Sequence, residues 1–288
     1  MAVGGFMAAC QVCFRHCSLS EGDIGFCGAR TVRDGKVIAY NYGKVSGLAL
    51  DPIEKKPLNN FFPGSYILSV GSFGCNLRCP FCQNNDISWS EEARRYAEDA
   101  ETVKPQELVK VALDMRAQGN IGIAFTYNEP LVGYEFVLDT AKLAKERDLK
   151  TVLVSNGTAE LSVLAEIAPY IDAMNIDLKG FTDEYYDRLL GGSRKQAMDF
   201  IAEAVKHCHV ELTTLIIPGE NDSEEEMHEM SAWIHGLEAA NGKNIPLHIS
   251  RFFPRFKMTD RDATDVRKVY RLAEVAREEL EIVYTGNC

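Results

Sequence analysis

No run of roughly 18 apolar residues occurs in the sequence, so no segment is expected to cross a bilayer as a helix. There is no basic surplus either. The 31 Lys and Arg residues stand against 42 Asp and Glu, a net charge of −11. Nucleic acid and anionic membrane both select a basic face, so neither is an expected partner. No secretory leader is expected either. MAVGGFMAACQ sets Cys10 behind small residues, faintly like a lipoprotein cleavage site, without the basic start or long apolar stretch such a signal needs. The expected location is therefore cytoplasmic. A dinucleotide-binding glycine fingerprint is absent too.

What remains is 46% apolar and 25% charged residues in 288, enough for one large α/β domain with a small appendage. The unusual component is sulfur. Seven of the nine cysteines fall in two tight groups: Cys10, Cys13, Cys17 and Cys27, then Cys75, Cys79 and Cys82. An odd, clustered set in an acidic chain does not read as a secreted disulfide framework. It reads as metal binding in a reducing, anaerobic setting.

Residues 1–30 show little periodicity, and 31–50 read as two short strands turning at Asp34-Gly35. DPIEKKPLNNFFPG (51–64) reads as a proline-punctuated connector. The chain is thus expected to divide into a cysteine-rich segment, 1–64, and a larger unit, 65–288. In the second, β-branched runs alternate with amphipathic stretches. Strands are expected at 66–72, 121–127, 151–156, 172–178, 210–217, 246–250 and 281–285. Helices are expected near 105–118, 132–147, 160–168, 182–190, 195–206, 223–240 and 262–280. Glu224-Glu225-Glu226 is expected to open a solvated helix behind an Asn-Asp-Ser cap. This repetition predicts an α/β fold with a parallel sheet, a closed or partly open (β/α) barrel behind a cysteine-rich N-terminal extension.

Unusual polar residues follow almost every strand: the three cysteines after the first, Asn128-Glu129-Pro130 after the second, Ser155-Asn156-Gly157 after the third, and Asp177 and Lys179 at the fourth. In a (β/α) barrel these loops open on one face, where active sites are built. His248 and Arg251 at the sixth strand are weaker candidates, since a histidine at a strand end is more often a satisfied structural residue.

GCNLRCPFC supplies three thiols in a loop, where a structural zinc site wants four ligands and no histidine is near. Thiolates select zinc or iron–sulfur clusters, and a four-iron cube held by three cysteines keeps one iron free for a small molecule. The stretch resembles the cluster loop of the radical S-adenosylmethionine (SAM) enzymes, with Phe81 as the aromatic before the third cysteine. Within that superfamily the chain is most similar to the pyruvate formate-lyase activating enzymes. DPIEKKPL, TYNEP and HISRFFP bring it nearest to the radical SAM member of the AmmeMemoRadiSam system.

The resemblance implies a partial, TIM-like (β/α)6 barrel and a [4Fe-4S] cluster on Cys75, Cys79 and Cys82, with SAM on the fourth iron. Glu129, beside Asn128, would face the SAM ammonium, though the family's two glycines are missing here. Ser155 and Asn156 would contact ribose and carboxylate; Val154 replaces the activases' aspartate. Lys179, paired with Asp177, would face the SAM carboxylate, and His248 would add a contact. Reductive cleavage to a 5′-deoxyadenosyl radical would follow, with flavodoxin or ferredoxin as reductant. Activation of a glycyl-radical enzyme, a protein substrate, is the first reading. Radical modification of a small molecule or peptide is the alternative. A non-catalytic iron–sulfur or zinc sensor is the reading from another class. The N-terminal quartet, spaced C-x2-C-x3-C-x9-C, can close a zinc site or hold another iron–sulfur cluster, with His16 as a substitute ligand. Cys208 is expected in the core.

Overall fold

The computed structural model describes residues 7–288; residues 1–6, the start of the small-residue lead-in to Cys10, lie outside the described residues. The chain opens with a two-residue pair, β1 (Ala8–Ala9) and β2 (Ser18–Leu19), then a hairpin of β3 (Arg30–Arg33) and β4 (Lys36–Ala39). Asp34 and Gly35 turn that hairpin with φ of 51° and 71°, the left-handed pair that tight hairpins prefer.

Eight strands form the main sheet: β5 (Gly47–Pro52), β6 (Tyr66–Gly71), β7 (Asn120–Thr126), β8 (Lys150–Ser155), β9 (Ala173–Asp177), β10 (His209–Ile216), β11 (Leu247–Arg251) and β12 (Val283–Gly286). They lie side by side in chain order, and each neighbouring pair from β6 to β12 is parallel. No ladder joins β5 to β12 among the described residues, so the barrel is open. Helices α1 (Asn85–Ser88), α2 (Glu91–Asp99), α3 (Pro105–Asp114), α4 (Tyr134–Lys145), α5 (Leu161–Ile167), α6 (Arg194–Ala204), α7 (Glu224–Asn241) and α8 (Val266–Ala276) connect the strands. Their apolar stripes recur every three or four residues, as with Val137, Ala141 and Ala144 or Val269, Leu272, Ala273 and Ala276. These stripes pack on Phe125, Leu153, Ile176, Leu212 and Ile249 of the strands, and Cys208 is buried in the same core. Each large side chain fully removed from water there contributes about 1.5–3 kcal/mol.

The structure revises four local expectations. The connector begins as strand β5, antiparallel to β6, and continues as a strap whose Ile53, Leu58 and Phe61 pack on Ile67, Ala124, Val152 and Ala173. The strap backbone is fixed by Asn59 and Asn60 N–H groups donating to Glu211 at 3.0 and 2.7 Å. Helices α1 and α2 fill a stretch assigned no element, and the region near 182–190 is a single π-helical turn, Tyr185–Leu190. Ser223 does cap α7, but Glu226 is buried and accepts the Phe181 N–H, so that first turn is only partly solvated.

Candidate active site

The cysteine loop leaves β6 through Gly74, whose φ of +100° no other residue adopts easily. A Cβ there would sit 2.7 Å from the Cys27 carbonyl oxygen. The next amide, Cys75 N–H, donates to that same carbonyl at 3.0 Å. Asn128 braces the loop by accepting the Ser72 N–H at 3.0 Å and donating to the Gly74 carbonyl at 3.1 Å. Arg78 N–H reaches the carbonyl of Leu190, the end of the π-helical turn, at 2.8 Å.

Cys75, Cys79 and Cys82 line a cavity of about 440 Å³ at the carboxyl ends of the strands, and Phe81, Asn128, Glu129, Ser155, Asn156, Asp177 and Lys179 line it too. Every site residue expected in the barrel except His248 and Arg251 is therefore brought together; Arg251 Nε instead donates to the Thr264 carbonyl at 2.7 Å. Burial pushes the thiols up, Cys79 to about 12 despite the nearby Lys179 cation, and Cys75 well above the ordinary range. Free thiols in this setting keep their protons, and only an electropositive metal makes them thiolates. Leu77 N–H and Asn156 Nδ2 point at Cys75 Sγ, at 3.4 and 3.8 Å. Among the described residues no three His, Cys, Asp or Glu side chains gather closely enough to hold a single metal ion. Three soft donors around an open cavity suit a polynuclear cluster instead.

Glu129 is the polar node beside the thiols. Its Oε1 accepts from the Ser155 hydroxyl at 2.9 Å and the Leu131 N–H at 3.0 Å, and its Oε2 from the Asn156 N–H at 2.7 Å. Burial pushes this carboxyl up to about 7, against the pull of those three bonds. An incoming cation would hold it ionised. Asn156 also ties the node to the loop, since its Nδ2 donates to Asn76 Oδ1 at 2.9 Å. Lys179 Nζ lies 2.7 Å from Asp177 Oδ2. Burial opposes the ammonium charge, but the Asp177 carboxylate outweighs it and holds the proton more tightly than usual.

His248 lies elsewhere. Its Nε2 is 2.6 Å from Glu211 Oε2 and its ring stacks on Tyr284, beside the strap. Ser250, two residues on, lines the cavity in its place. Sequence reasoning also missed Lys55, Lys56, Tyr127, Thr213 and Asn287 as cavity residues, and all five line it. Asp51 organises the first three: it pairs with Lys56 at 3.0 Å and Lys55 at 3.4 Å, and accepts the Tyr127 hydroxyl at 2.7 Å. The available signals were the i, i+4 and i, i+5 spacing of those charges within DPIEKKP.

Fold and cavity together define a partial-barrel protein with a soft-metal thiol set at the mouth of its sheet. Residues 69–231 match the model of the radical SAM superfamily. An uncharacterised protein of Methanocaldococcus jannaschii is 38% identical over 281 residues, 96% of this chain and 80% of that protein. A pyruvate formate-lyase-activating enzyme of Clostridium pasteurianum is 27% identical, over 72% of this chain and 89% of the enzyme. The fold is also that of a radical SAM methyltransferase from Sphaerobacter thermophilus, with TM-score 0.58 and 16% identity over 78% of this chain and 67% of that one. SuiB of Streptococcus suis aligns with TM-score 0.55 and 14% identity over 74% of this chain, which spans 47% of SuiB. At these identities the two structures speak to the fold alone. The chain belongs to the radical SAM superfamily.

Proposed function

We propose that the chain binds a [4Fe-4S] cluster through Cys75, Cys79 and Cys82 and uses it to cleave SAM reductively. The observation that carries this reading is the convergence of the three loop thiols, the Glu129 node and Lys179 on one cavity. When cluster and SAM are bound, the chemistry available is cleavage to methionine and a 5′-deoxyadenosyl radical that abstracts a hydrogen atom from a substrate. The protein's own groups bind and orient. Glu129, its carboxylate aimed by Ser155 and Asn156, receives the SAM ammonium. Lys179 receives the carboxylate, and the Ser155–Asn156 segment borders the ribose. Charge-assisted contacts of this kind are the strong ones.

The likeness to pyruvate formate-lyase-activating enzymes supports activation of a partner enzyme; the family resemblance implies abstraction from a backbone glycine of that partner, with a flavodoxin or ferredoxin as reductant. The lysines at the cavity wall support the second reading, modification of a small molecule or peptide carrying an acidic group. Anaerobic reconstitution with iron and sulfide, followed by SAM and dithionite, should yield 5′-deoxyadenosine, and Cys79→Ala should abolish it. A loaded wild-type protein that makes none would instead be the sensor. Mass spectrometry of candidate protein and small-molecule substrates separates the two catalytic readings.

A further inference from the structure

The four N-terminal cysteines form a second thiol set, which the barrel cavity does not use. Cys10, Cys13, Cys17 and Cys27 line one small cavity together with Arg15 and Arg30. Backbone bonds fold the segment around it. Cys10 N–H donates to the Cys17 carbonyl at 2.9 Å, and His16 N–H to the Cys13 carbonyl at 3.1 Å. The His16 ring is engaged with Glu160 at 2.9 Å, so it is not the ligand the sequence suggested as a substitute.

Three features point to an electronegative occupant. Ala29 N–H is aimed at Cys27 Sγ at 3.4 Å, as amides are toward ligating sulfur. The Arg15 guanidinium lines the cavity with Cys13 and Cys17 and makes its hydrogen bonds to carbonyls, with no carboxylate partner among the described residues. Arg30 is 4% exposed, and its Nε–H has no partner among the described residues although the side chain lines the cavity. A buried donor of this kind wants an acceptor.

An all-thiol set selects zinc or an iron–sulfur cluster. Zinc, at about 2.3 Å from each sulfur, would draw the four sulfurs to within about 3.8 Å of one another. The four cysteines share the all-sulfur donor chemistry of the Cys75, Cys79 and Cys82 set, to which their segment is bonded. We infer that Cys10, Cys13, Cys17 and Cys27 hold a second iron–sulfur cluster, packed directly against the barrel's cysteine loop.

The packing is explicit in the contacts. The Cys75 amide is bonded to the Cys27 carbonyl, so one peptide hydrogen bond links the two ligand segments. Arg78 donates to the carbonyls of both Phe26 and Cys75, and Arg15 to that of Asn76. Both guanidinium groups stack on the Phe26 ring, 3.4 and 3.7 Å from its centroid. The second site itself stands whether or not the barrel cleaves SAM.

The test uses the full chain with Cys75→Ala, Cys79→Ala and Cys82→Ala, reconstituted anaerobically with iron and sulfide in the presence of equimolar zinc. It should retain about four iron and four sulfide per chain and no zinc, against about eight of each in the unsubstituted chain. One zinc per chain without sulfide overturns the cluster, and no bound metal overturns the site. A complementary variant, Cys13→Ser with Cys27→Ser, should lose half the iron of the unsubstituted chain; full retention would also overturn the site. In the fully loaded, reduced chain, electron paramagnetic resonance should show spin–spin broadening that neither variant shows. Two unbroadened signals would overturn the direct packing. Failure to form 5′-deoxyadenosine changes none of these readouts, so the two readings fail separately.

Discussion

Glu129→Gln keeps the shape of the polar node and removes its charge, which makes it the most informative single substitution. The carboxylate accepts on both oxygens, from Ser155 and Leu131 on one and Asn156 on the other. A carboxamide can accept on one side only, so at least one buried donor loses its partner, at a cost of about 1–3 kcal/mol of stability. The second effect falls on the ligand. A charge-assisted bond to the SAM ammonium contributes about 1.5–3 kcal/mol. At about 1.4 kcal/mol per tenfold, SAM binding should weaken roughly 10- to 150-fold. Anaerobic calorimetry on reconstituted protein of verified iron content reads the affinity, and denaturant titration reads the stability. Ser155→Ala, which leaves the carboxylate in place, should lose less affinity than Glu129→Gln. SAM affinity within about twofold of wild type, in a fully loaded Glu129→Gln protein, would refute the assignment of the ammonium to Glu129.

Three further outcomes are expected. Lys179→Met strands Asp177 and removes the cation facing the SAM carboxylate, so affinity should fall about tenfold or more while iron content holds; calorimetry on loaded protein checks it. Gly74→Ala puts a methyl group against the Cys27 carbonyl at a φ of +100°, and should cost at least about 1–2 kcal/mol and lower iron retention after desalting. At Glu211, burial pushes the carboxyl up, but bonds from His209, His248 and the Asn60 N–H outweigh it and hold it down to about 2. A folded value below the unfolded one, about 4.3, means this stabilisation is whole above that pH and drains as pH falls toward the folded value. Glu211→Gln should therefore flatten the acid limb of the stability curve in that window, measured by denaturant titration at each pH.

The parts of the site carried by local spacing were legible in the sequence. The cysteine loop and the residues just past β7, β8 and β9 needed only the strand–helix alternation to be placed on one rim. His248 shows what spacing leaves out. Alternation puts it on the same face of β11 as Ser250, but depth along the strand decides which of the two meets the cavity. His248 is drawn to Glu211 and the strap, and Ser250 reaches the mouth. The strap itself was opaque for a similar reason. Its prolines signal an irregular connector, whereas its burial depends on Glu211, about 150 residues away in the chain, capping its amides. Lys55 and Lys56 went unread as cavity residues because a lysine pair in a connector ordinarily faces water, and only the long-range partners Tyr127 and Ser69 fix Asp51 between them. The π-helical turn is likewise set by tertiary contacts, with its end held by the Arg78 amide.

The account turns on an iron that the three loop cysteines leave free for SAM. Electron–nuclear double resonance on the reduced, reconstituted protein, with SAM isotopically labelled at its amino nitrogen, measures that contact directly. A hyperfine coupling from the label to the cluster, lost in Cys79→Ala, is the predicted result. A loaded cluster with no coupling to the label, at saturating SAM, would contradict the account.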